Sequence, residues 1–107
     1  MSKYLKEDSR EHHYEKEMHE NHMKELNRIN TFRQFANEYK SAIEIKYTAD
    51  ILSHDDFGNA MHYYAEIIKM TNACLIMLEN KMISKDYEKF IVLVGNYSCR
   101  LEHFAKD

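Results

Sequence analysis

Asp8, His12, Glu15, His19 and His22 stand at steps of four, three, four and three. On an α-helix that alternation places all five on one face. Imidazoles and carboxylates so arranged are ligands for a divalent ion such as zinc, nickel or cobalt, and the metal candidates are His12, Glu15, His19 and His22. One helix rarely closes a four-ligand shell, so a second helix, from this chain or another copy, would have to complete it. The plainer reading starts from composition. Seven histidines occur in the chain, four of them between residues 12 and 22, and a Glu-rich exposed helix scatters such residues onto one face by chance. A third reading is a pH sensor, in which the seam gains charge below about pH 6.5 and repels across a helical interface.

Other reactive residues offer less. Glu17 with Glu20, and Asp8 with Glu11, are carboxylate pairs three apart that could hold magnesium, as helical nucleotide pyrophosphatases do. No second acidic pair stands on the later helices to face them. Cys74 lies in the most apolar part of the chain, where a thiol is inert. Cys99 has His103 one helical turn on, but no third group orients the pair. Arg100 and His103 are too closely spaced for the arginine and histidine of small helical ribonucleases. No glycine-rich loop is present to cradle phosphate. Hence no catalytic residue and no cofactor is expected.

Composition narrows the field further. Among 107 residues there is no proline and there are only two glycines, which favours long helices with short connections over a sheet. Charged residues make up 31% of the chain with the signs interspersed, and the net charge is −3. The basic residues Lys3, Lys6, Arg10, Lys16, Lys24 and Arg28 each have a carboxylate nearby, so a nucleic-acid partner is not expected. The opening MSKYLKEDSR has no apolar run after its charges. No signal peptide or membrane span is read there, and a cytoplasmic location with two reduced, buried cysteines is the expectation.

The elements that must position these residues follow from periodicity. From Phe57 to Met82, the set Met61, Tyr64, Ile68, Thr71, Leu75, Leu78 and Met82 alternates steps of three and four. A second set, Ala60, Tyr63, Ile67, Met70, Cys74 and Met77, runs beside it. The segment Ala73 to Leu78 is apolar all round and requires cover on every side, from this chain or a second copy. Ser53 with Asp55 and Asp56 marks the start of this helix, and Ser84 with Asp86 and Glu88 repeats the pattern for a last helix carrying Tyr87, Phe90, Val94, Tyr97, Leu101 and Phe104. Upstream, residues 1–28 form a polar helix able to project, and the core stripe begins with His22, Leu26, Ile29, Phe32, Ala36, Tyr39 and Ile43. Thr31 followed by Gln34 has capping-box spacing, so a kink or break is expected between residues 28 and 40, with the next helix reaching about Leu52. Gly58, near the start of the central helix, is expected where another backbone comes close.

The stretch from Asp56 to Tyr64 resembles the start of the second helix of a tetratricopeptide unit, over about one unit. An array needs about three such units, and the next helix start follows after 30 residues, not 34, so the chain is not assigned to that family.

The expected fold is all-α: a single domain over residues 1–107, a small bundle of about four helices with a buried central helix and a long charged first helix, residues 29–107 forming the packed part. The expected function is a non-enzymatic protein-binding module. It would be a small cytosolic regulator or inhibitor, of phage-inhibitor, immunity or antitoxin type, docking on a larger protein and able to form a homodimer. Tyr14, Glu17, Glu20, Phe32, Phe35, Tyr39 and Tyr47 are the expected contact residues, the charged first helix combining with exposed aromatics between Phe32 and Tyr47 into one partner surface. The alternative is a metal-binding helical protein using the histidine seam.

Overall fold

The computed structural model describes residues 2–81 and 85–106, with side chains described from residue 20 onward. Three helices follow one another: α1 Ser2–Thr48, α2 His54–Glu79 and α3 Lys85–Ala105. They run up, down and up, so α1 and α3 are parallel and α2 lies antiparallel to both.

The all-α expectation holds, and the four-helix arrangement does not. No break interrupts α1 between residues 28 and 40. Thr31 caps no new helix; its hydroxyl donates back to the Asn27 carbonyl at 2.8 Å, a bond that satisfies a threonine inside a continuous helix. With neither proline nor glycine before Gly58, nothing forces the chain to turn. It ends instead at Thr48 in a Schellman closure: the Asp50 amide donates to Tyr47 and the Ile51 amide to Lys46. Asp50 takes the left-handed position, φ 59°, that glycine usually fills. This termination lies four residues before the expected Leu52.

The start of α2 follows expectation. Ser53 is extended, and its hydroxyl oxygen accepts from the Asp56 amide at 3.1 Å, while Asp55 and Asp56 sit at the positive end of the helix dipole. Gly58 is exposed, and a Cβ there would meet nothing within 4 Å. The close backbone expected at that position is absent. Ser84 and Met82 lie outside the described residues.

Two layers of core hold the bundle. Ala36, Ile43, Ala60, Ile67, Val94 and Leu101 form one, and Ile29, Cys74, Leu78, Tyr87 and Ile91 the other. These come from one face of each helix, at steps of three, four and seven. Thr71, fully buried among them, stays satisfied because its hydroxyl donates to the Ile67 carbonyl at 2.8 Å. Lys46 of α1 reaches across to the end of α3 and donates to the Phe104 carbonyl at 3.1 Å and to the Lys106 carbonyl. It thereby occupies carbonyls that the last turn leaves unpaired.

The second helix is not enclosed on all sides as expected. Two neighbouring helices cover only part of its circumference, and Ile76, inside the all-apolar segment, remains 60% exposed. Cys74 is buried as expected, whereas Cys99 lies on the outer side of α3 and is exposed. Among the described residues no helix is long and apolar enough to cross a membrane.

The molecule measures 74 × 21 × 16 Å. A 47-residue helix is about 70 Å long and a 26-residue helix about 39 Å. The long dimension is therefore that of α1, which continues past the end of the bundle. Leu26 is the first α1 residue in the described apolar core.

Candidate functional site

The expected contact residues divide sharply once placed. Phe32 and Tyr39 pack against the layer built on Ala36 and Ile43. Burial, with the Glu102 carboxylate second, raises the Tyr39 hydroxyl above its ordinary range. Tyr47 stacks on Phe57, ring centres 4.1 Å apart and planes 13° apart, and its hydroxyl meets His54 Nδ1 at 3.0 Å. These three rings fasten α1 to the bundle. Phe35 differs: it stacks against Tyr39 at 6.2 Å yet keeps 46% of its surface exposed. Glu20 is exposed as well. Tyr14 and Glu17 belong to α1, with side chains outside the described residues.

Of the metal candidates, His12, Glu15 and His19 also have side chains outside the described residues, and His22 is half-buried on α1. Among the described residues, no three histidine, cysteine or carboxylate side chains gather closely enough to hold an ion.

The α1–α2 seam is polar where it meets solvent. Arg33 Nη1 donates to Asn72 Oδ1 and the Tyr64 hydroxyl to Asn37 Oδ1, both at 2.6 Å, and Lys40 Nζ lies 4.8 Å above the Tyr64 ring. Such bonds fix the register of the two helices and leave little unsatisfied. On α2 and α3, Cys99, Arg100 and His103 line an open cleft with Tyr63 and Phe104. Both Cys99 and His103 are exposed, and among the described residues no carboxylate or amide is bonded to the imidazole to serve as the third member of a nucleophilic triad. Cys74 is unsuited for the opposite reason: burial, aided by the Glu25 charge, pushes its thiol above the usual range.

Sequence reasoning missed the apolar residues left outside the core. Ile45 and Ile51 are about 70% exposed, and Val92 and Leu93 also face solvent. The signal was available in part. The buried α3 residues Tyr87, Ile91, Val94 and Leu101 define a face that Val92 and Leu93 cannot share, and Ile45 falls opposite Ile29, Ala36 and Ile43. An aliphatic off the buried stripe of an otherwise charged helix faces either water or a partner.

The chain matches no protein-family model, no curated protein and no solved structure.

Proposed function

We propose that this protein is a non-enzymatic binding module, a small regulator or inhibitor that docks on a larger protein through the outer face of α1. One observation carries the reading. The first helix extends well past the α2–α3 pair, and within the bundle it still turns Phe35 and Ile45 outward. A helix that only completed a three-helix core would need about 25 residues, the length of α2 and α3. The surplus length and the outward Phe35 and Ile45 give a partner an extended charged stretch followed by apolar anchors. Phage inhibitors, immunity proteins and antitoxins are the functional type this arrangement suits, acting by occupying a surface of the target.

Charge reversal at Glu17 and Glu20 then slows association and leaves the fold unchanged. The test is photo-crosslinking from α1 in the organism that encodes the chain. Benzoylphenylalanine placed at position 35 or 45 gives a discrete adduct with one different protein, and the same probe at Asn59, exposed on α2, does not. No adduct, or an adduct only of two copies of this chain, contradicts docking through α1.

A further inference from the structure

The face of α1 that meets α2 is a single row at steps of three and four. Arg33 bonds Asn72 at 2.6 Å, Lys40 lies 4.8 Å above the Tyr64 ring and Tyr47 stacks on Phe57 at 4.1 Å, with Ala36 and Ile43 buried between them. The two helices are antiparallel, so the same register brings Glu79, the last residue of α2, level with Glu25. Helix α3 begins at that level too, where Tyr87 bonds Glu25. Upstream of it α1 continues to Ser2, and among the described residues no other helix runs beside it.

The row itself does not stop there. Carried upstream from Leu26 at the same steps, it is His22, His19, Glu15, His12 and Asp8, the histidine seam. The place that α2 fills along the bundle is therefore open along this stretch, in front of a row that mixes imidazole with carboxylate.

We infer that a second copy of this chain fills that place, its α1 running antiparallel as α2 does. Charge complementarity selects both the occupant and the alignment. A two-fold pair centred between residues 13 and 14 sets Asp8 opposite the second copy's His19 and His12 opposite its Glu15, and each pair occurs twice. An imidazole donates an N–H to a carboxylate in either charge state, and opposed pairs of this kind fix register and orientation between helices. Sliding the second copy by one heptad loses this: in one direction Glu15 faces Leu5, in the other His12 faces His22. A parallel pair sets every carboxylate of the row against its own copy. Glu17, Glu20, Phe35 and Ile45 stand on the opposite side of α1 by their spacing. The pair therefore leaves open the face that docks a larger protein, and the inference stands apart from that docking.

The test is sedimentation equilibrium and small-angle X-ray scattering of the intact, tag-free chain at neutral pH and about 200 µM. The expected mass is twice that of one chain. The expected length is about 100 Å, because the two bundles sit at opposite ends of the pair, against 74 Å for one copy. His12→Glu brings glutamate against Glu15 at two places and weakens the dimer at least about tenfold. His12→Glu with Glu15→Lys restores it, since each new glutamate then meets a lysine. Parallel pairing cannot give that rescue, because it would set glutamate against glutamate and lysine against lysine. Both variants change only the projecting stretch, so near-ultraviolet dichroism stays at the wild-type signal. A monomer, a dimer no longer than one copy, or a double variant that stays as weak as His12→Glu overturns the pairing. So does a dimer that dissociates on adding EDTA, which makes the seam a metal bridge in place of a charge-paired one.

Discussion

The hydroxyl of Tyr87, in the first turn of α3, donates to the Glu25 carboxylate of α1 at 2.6 Å, and this bond marks the level at which α1 leaves the bundle. Tyr87 is fully buried and Glu25 largely so, with Arg28 at 3.8 Å as a second neighbour of the carboxylate. Burial first, then the bond to Glu25, pushes the Tyr87 hydroxyl well above its usual 10.0. Removing the hydroxyl strands a mostly buried carboxylate, so Tyr87→Phe is expected to cost about 1–3 kcal/mol. The pH dependence has a definite sign. With the folded value raised, the unfolded chain loses this proton first, so the contribution is complete below pH 10.0 and is lost progressively above it. Urea unfolding between pH 8 and about 11 should show a steeper alkaline decline in wild type than in Tyr87→Phe. Parallel declines contradict the bond's part in stability.

Asp50 closes α1 in a conformation that costs an L-residue roughly 1 kcal/mol and glycine almost nothing. Asp50→Gly should therefore raise the urea midpoint by the equivalent of about 0.5–1 kcal/mol without changing the slope. Asp50→Ala should not. An equal effect of both would locate the strain elsewhere.

Lys46 ties the last carbonyls of α3 to α1. Lys46→Met keeps most of the aliphatic stem and removes the donor, with an expected loss of about 1–2 kcal/mol. Hydrogen exchange is the sharper readout, because amides in the last two turns of α3 should lose protection before those around Val94. Uniform loss along α3 would show that the lysine does not act as a cap.

Gly58 lies in the first two turns of α2 with open space where a side chain would go. Gly58→Ala should stabilise by about 0.5–1 kcal/mol through the unfolded chain alone, as a higher thermal midpoint with unchanged near-ultraviolet dichroism. A lower midpoint means that something packs there in solution.

Periodicity made the helices legible wherever one face is buried: Ile67, Thr71, Cys74 and Leu78 are core residues at the spacing their sequence displays. Ser53 was legible as a cap because an N-cap is chosen by side-chain chemistry. The continuity of α1 was not. Thr31 has two local uses, capping a new helix or bonding back to Asn27, and the choice depends on whether Ile29, Phe32 and Ala36 find one straight surface to pack on. The end of α1 was obscured because an aspartate holds the glycine position. At the candidate site the aromatic residues were legible as a group, but which of them face inward was not. Tyr47 turns in because Phe57 of the next helix offers a ring to stack on, a pairing visible only once the α1–α2 register is fixed. Arg100 was weighed as a catalytic partner of His103, and its support by Tyr63 depends likewise on the α2–α3 register.

The most direct test of the binding-module account is native mass spectrometry of the intact chain isolated from its own organism, before and after chelator. The account predicts a complex with one different protein at a fixed ratio, unchanged by chelator and lost in a Phe35→Ser, Ile45→Ser variant that melts as wild type does. A chain with a stoichiometric metal ion, in an assembly that falls apart on chelation, contradicts it and makes the histidine seam the site.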